Sequence, residues 1–248
     1  MRAFLRGIPA AAVFLTRVPV GGFPYSAAEW RWANAHLPLV GGGVGALAAL
    51  VWNAAAPLGA WTSAVLSVAA TVLLTGAFHE DGLADTADAL GGGIESPDRV
   101  HEILKDSRIG TYGTVAVVLV LLLRVVLLVE LGADAAVALV LSHVLARTPP
   151  VAVKAWLPYA TVGTAGKSRD LSDSRWREFA VAMGWATLIG IAVAPDPWVL
   201  GFSVLTLLVL GLVLAWRFRT RVGGYTGDFL GATEQLGEVV VLMVLVAR

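Results

Sequence analysis

Asp81, Asp85 and Asp88 fall at i, i+4 and i+7 within FHEDGLADTADAL, residues 78–90, directly after an apolar run. On a helix this spacing stacks three carboxylates on one face. Close anions repel and weaken a helix, so the pattern calls for a positive partner, and a divalent metal held by hard oxygen ligands suits it. Glu80 extends the set as a further candidate ligand, with His79 beside it. The plain alternative is a solvated acidic helix start favoured by the macrodipole. That alternative serves one such residue better than three together at a membrane boundary.

Two further segments carry polar chemistry. In KDSRIGTYG, residues 105–113, Lys105 and Arg108 flank Asp106 and Ser107. Cations beside a hydroxyl suit phosphate oxygens, and Asp106 is a secondary metal candidate. Anchoring of the same cations at lipid head groups explains them equally well. In GGYTGDFLGATEQLGE, residues 223–238, glycines 223, 224 and 227 bracket Tyr225, Thr226 and Asp228. Backbone N–H groups around Gly227 can face an anion, and Asp228 can complete a metal site. An ordinary turn with Asp228 near a helix N-cap is the competing explanation.

These residues must be positioned by membrane helices. The chain of 248 residues is 57% hydrophobic and 15% charged, against about 25% charged in soluble domains. It has no cysteine, which excludes disulfides and thiolate metal sites, and its formal net charge of zero argues against a nucleic-acid partner. About 20 apolar residues span a bilayer. The candidates are Leu37–Ala56, Trp61–Phe78, Thr111–Leu131, Ala135–Val153, Phe179–Ala194 and Trp198–Trp216, with Phe229–Ala247 as a seventh whose first half is polar. The short gaps at 57–60, 132–134 and 195–197 contain no Lys or Arg, whereas the leader and the loops at 79–110, 154–178 and 217–228 hold nearly all of them. The positive-inside rule puts these basic segments, and the N-terminus, in the cytoplasm. The expected fold is therefore all-α: one domain, residues 1–248, forming a polytopic transmembrane bundle of six to seven spans with a cytoplasm-facing site. The leader, with Arg2 and Arg6 before a short apolar run, reads as an interfacial helix rather than a cleaved signal. Arg124, inside an apolar span, should face the bundle interior and pair with an anion. His143 and Arg147 share a helix face in the next span.

The chain resembles the cobalamin synthase family, the adenosylcobinamide-GDP ribazoletransferases. The likeness rests on FLTRVPV (14–20), LPLVGGGVGAL (37–47), FHEDGLADTADALGG (78–92), ILKDSRIGTYG (103–113) and GGYTGDFLGA (223–232), and runs over nearly the whole length. Glu80 and Ala89 depart from the family pattern, which more often has an apolar residue and Gly there. The resemblance implies a Mg²⁺-dependent enzyme of the prokaryotic cytoplasmic membrane. It would join α-ribazole, or its 5′-phosphate, to adenosylcobinamide-GDP and release GMP. Asp81, Asp85 and Asp88 would be the catalytic metal ligands, with Glu80, Asp106 and Asp228 secondary. Lys105 and Arg108 would bind the pyrophosphate, with Ser107 and Gly227 as further substrate-binding residues. The lipid bilayer is the expected surround, and a homo-oligomer or a complex with other cobalamin-assembly enzymes is compatible with the sequence. A CDP-alcohol-type phosphotransferase is the first alternative, although Asp85 stands where that pattern wants Arg. A cation-coupled transporter is the second, and it would need polar or broken spans near mid-membrane.

Overall fold

The computed structural model describes residues 1–92, 96–106, 108–160 and 174–248, and the described part is all-α apart from one isolated bridge between Tyr159 and Tyr225. Twelve α-helices occur among these residues. They are α1 (Arg2–Leu15), α2 (Ala27–Ala35), α3 (Leu37–Ala55), α4 (Ala60–Thr75), α5 (Phe78–Gly91), α6 (Pro97–Ile103), α7 (Thr111–Leu131), α8 (Ala135–Leu145), α9 (Thr148–Trp156), α10 (Trp176–Val193), α11 (Pro197–Val222) and α12 (Gly227–Val246).

Five helical stretches are long and apolar enough to cross a membrane, and α4 with α5 adds a sixth as a bent pair. One of the five, Thr111–Trp156, has 46 residues, about 69 Å of helix at 1.5 Å per residue and twice what a bilayer needs. It reverses in the middle. Its start lies beside Asp88, Asp134 in its central turn pairs with the C-terminal Arg248, and its end leads to Pro158, which accepts a hydrogen bond from the Tyr225 N–H. With its two limbs counted separately, seven crossings result. Large apolar side chains such as Leu73, Val118, Leu122, Leu188, Ile191 and Leu205 are exposed on the outer surface, as lipid requires. The chain is a multi-pass membrane protein.

The second crossing ends earlier than the sequence suggests. Its predicted end, Phe78, is instead the first residue of α5. Gly76 (φ 72°) and Ala77 (φ 58°) both adopt the left-handed conformation, which stops α4 and turns the chain by 89°. The acidic helix thus lies across one end of the bundle instead of extending the span. The basic segments gather at that same end. The Arg17 N–H bonds the Leu74 carbonyl at the end of α4, Arg31 pairs with Glu178 at the start of α10, and the 158–160 segment bonds the backbone of Tyr225. Lys154, expected in a loop, is instead buried in α9, where its ammonium donates to Asn34 Oδ1 at 2.8 Å. Residues 161–173 of the third basic segment, with Lys167 and Arg169, lie outside the described residues.

Candidate active site

The site is built where α5 crosses the first turns of α12. Gly82 makes that crossing close: a Cβ on it would sit 2.8 Å from the Asp228 carbonyl oxygen. Gly231 does the same from the other side, with an added Cβ 3.2 Å from the His79 carbonyl oxygen. Glycine is needed at both positions because backbone meets backbone. Thr226 caps α12, its Oγ1 accepting from the Phe229 N–H at 3.4 Å, and its hydroxyl also donates to Asp228 Oδ2 at 3.3 Å. Asp228 is therefore held in the first turn of α12 against the acidic helix, as the third segment's candidate role requires.

Asp85 sits at the centre of the charge cluster. Burial, then the nearby carboxylates of Asp81, Asp228 and Asp88, push it up to about 6. No cation among the described residues offsets this crowding. Asp88 has a second duty. Its two oxygens accept the backbone N–H groups of Gly110 at 2.7 Å and Gly113 at 2.9 Å. Gly110 gives α7 no side-chain cap of its own, so Asp88 caps that helix across space. The geometry thereby joins all three sequence segments at one end of the bundle. Seven residues of helix separate Asp81 from Asp88, about 10 Å along the axis, so one ion cannot take both directly. Asp81 and Asp228 act on Asp85 more strongly than Asp88 does, although Asp81, Asp85 and Asp228 do not bring ligand atoms within 4.8 Å of one another.

Other expected members are placed differently. Glu80 is buried and turns inward, 3.7 Å from Arg124, because one residue of helix rotates it about 100° off the Asp81 face. It departs from the expected ligand set. Asp106 does too: both its oxygens are held by Arg108, at 3.0 and 2.6 Å for the shortest bond to each, which depresses its pKa to about 2. Arg108 is mainly exposed, and Lys105 is exposed on the turn after α6. Ser107 lies outside the described residues. Gly227 lines a cavity whose wall also includes Phe78 and His79 of the acidic helix.

Beneath the site lies a charged cluster that the sequence reading only half anticipated. Arg124 is 2% exposed and its Nη2 is 2.8 Å from Glu238 Oε2, with Gln235 and Thr71 as further acceptors. The expected interior pairing holds. Arg147 reaches Glu234 at 3.0 Å, His143 bonds Glu238, and His79 Nδ1 is 3.8 Å from Glu234. Glu234, Glu238 and His79 are partners that Arg124, His143 and Arg147 do not by themselves identify. Glu234 and Glu238 stand at i and i+4, matching His143 and Arg147 at i and i+4 on α8 and its end, and that complement was the available signal. His143, Glu234 and Glu238 bring ligand atoms within 4.8 Å of one another. Two guanidiniums already meet those carboxylates, so the cluster is a self-neutralised strut and the cation-poor site lies on α5.

A sequence model of the cobalamin-5-phosphate synthase family matches residues 7–246. The adenosylcobinamide-GDP ribazoletransferase of Leptothrix cholodnii is 46% identical, the alignment covering 92% of this chain and 90% of that protein. Those of Polaromonas sp. and Bradyrhizobium diazoefficiens are 38% and 40% identical, covering 95% and 100% of this chain and 94% and 95% of theirs. No solved structure matches the chain.

Proposed function

Because the chain belongs to the cobalamin-5-phosphate synthase family, we propose that its acidic crossing of α5 and α12 is the catalytic centre of an adenosylcobinamide-GDP ribazoletransferase. The enzyme joins α-ribazole, or its 5′-phosphate, to adenosylcobinamide-GDP. A ribose hydroxyl oxygen forms a bond to the cobinamide-side phosphorus, the P–O–P bond breaks, and GMP leaves. The observation that carries the reading is the crowding of Asp85 by Asp81, Asp228 and Asp88 without an opposing cation among the described residues, on residues that belong to the family's segments.

Such a set fits Mg²⁺, which takes hard oxygens and keeps places for substrate phosphates and water. When bound, Mg²⁺ would offset charge on the pyrophosphate and the departing GMP. Asp81, Asp85 and Asp228 would hold it. Asp88 fixes the start of α7, and with it the Lys105–Arg108 turn, next to the acidic helix. Lys105 and Arg108 bind the pyrophosphate, Arg108 exchanging Asp106 for a phosphate edge through the same planar fork. A carboxylate of the set takes the proton of the attacking hydroxyl. The membrane is the prokaryotic cytoplasmic membrane, with the N-terminus and the acidic face inside, as the clustering of Lys and Arg at this end supports.

The test is turnover by purified protein. With adenosylcobinamide-GDP, α-ribazole and Mg²⁺ together, GMP accumulates in step with the corrinoid product; omission of either substrate stops it. GMP release independent of α-ribazole, or none at all, contradicts the reading.

A further inference from the structure

The geometry points to the cavity between α1, α3, α5, α9 and α12 as the seat of the acceptor's flat two-ring base, its ribose directed toward Asp228. The inference rests on the ribazoletransferase reading and assigns a place to one of its substrates. The cavity has a volume of about 230 Å³. An apolar cavity of about 150 Å³ accepts benzene, so this one has room for a fused two-ring system. Its walls include Phe14, Phe78, Leu230 and the pair Tyr159–Tyr225, whose rings meet edge to face at 5.3 Å. The loop carrying that pair is fixed by backbone bonds between Pro158–Ala160 and Tyr225.

Two observations select the benzimidazole of α-ribazole over the guanine of the other substrate. First, the wall is largely apolar and its charged side chains already have ionic or hydrogen-bond partners, only Arg147 Nε and Glu234 Oε1 making no hydrogen bond among the described residues. Arg147 pairs with Glu234, His79 adjoins Glu234, and Lys154 donates to Asn34. Guanine carries several donors and acceptors on its edge and would leave them unmet there, whereas dimethylbenzimidazole is almost wholly apolar. Second, position fits an acceptor. Gly227, Leu230, Gly231 and Glu234 of α12 face the cavity, while the intervening Asp228 belongs to the acidic cluster. A base seated among the former therefore carries its sugar to the edge of the latter.

Leu230→Trp fills the cavity, and Phe14→Ala enlarges it. In Leu230→Trp the KM for α-ribazole rises at least about tenfold, roughly 1.4 kcal/mol, with little change in the KM for adenosylcobinamide-GDP. Phe14→Ala gains activity with a riboside bearing a three-ring base relative to α-ribazole. Equilibrium dialysis of free 5,6-dimethylbenzimidazole against the protein in lipid nanodiscs gives saturable binding that Leu230→Trp abolishes, and this arm needs no turnover. If wild-type protein binds the base but releases no GMP, the catalytic reading fails and the cavity assignment stands. If turnover proceeds while Leu230→Trp leaves both the KM and base binding unchanged, the cavity assignment is overturned. Should Leu230→Trp not fold, an unaltered base preference in Phe14→Ala, or no saturable binding to wild type, overturns it as well.

Discussion

The carboxylates of α5 share a face but divide by what holds them. Among the described residues Asp81 and Asp85 have no partner that neutralises them, whereas Asp88 spends both oxygens on the start of α7. Asp81→Asn and Asp85→Asn should each abolish GMP release while leaving the protein folded. Asp88→Asn should also lower stability, by about 1–3 kcal/mol, because an amide meets only one of the two N–H groups; thermal unfolding of the purified variants checks the split. Asp85 adds a pH signature. Its pKa in the folded protein is raised to about 6 from a reference of 3.8, so the metal-free folded state binds the extra proton between these values and loses stability as pH rises through them. A metal must displace that proton. Stabilisation by Mg²⁺ should therefore be weak at pH 5 and full by pH 7.5, and a thermal shift equal at both values contradicts the assignment. The shared face of Asp81, Asp85 and Asp88 was legible from spacing alone. Adjacency in the chain does not show that Glu80 turns about 100° away toward Arg124, nor that Arg108 holds both oxygens of Asp106.

Helices position these residues through two kinds of contact, close backbone crossings and a buried charge strut. Gly82→Ala inserts a methyl 2.8 Å from the Asp228 carbonyl oxygen, which must push α12 from α5 and separate Asp228 from Asp81. Activity should fall at least about tenfold while insertion and helix content are retained; circular dichroism with a turnover assay reports both. The strut predicts a larger structural loss. Arg124→Leu removes the guanidinium beside Glu80 and one of the two that meet Glu238, and should cost about 3–5 kcal/mol, as for other broken buried pairs. Unchanged stability in that variant would mean that the pairing contributes nothing. At the surface, Arg108→Lys keeps the charge but loses the fork. The KM for adenosylcobinamide-GDP should rise roughly ten- to a hundredfold, with little effect on α-ribazole. Most helices were legible from apolar runs, yet two boundaries were not. The end of α4 depends on left-handed Gly76 and Ala77 rather than on hydropathy, and α8 and α9 meet at a break beside Arg147 within a run that reads as one span.

Across the whole molecule, function follows from having the polar equipment at one end. That asymmetry was plain in the sequence, since Lys and Arg alternate between loops, and the structure brings those loops together through the Arg31–Glu178, Asp88–Gly110 and Tyr159–Tyr225 contacts. The pairing of Asp228 with the acidic helix was less legible, because about 140 residues separate them and only tertiary packing through Gly82 and Gly231 unites them. The cysteine-free chain allows single thiols to be introduced cleanly. In intact cells, an impermeant reagent should label position 134 from outside and leave position 98 untouched; the reverse pattern would refute the orientation. The account as a whole depends on a divalent ion seated on Asp81, Asp85 and Asp228. Mn²⁺ binding to the purified protein, followed by electron paramagnetic resonance, tests this most directly. The account predicts saturable binding that Mg²⁺ competes away, that Asp85→Asn loses, and that Glu80→Gln retains. Binding that survives Asp85→Asn but disappears in Glu80→Gln would place the ion in the buried strut and contradict it.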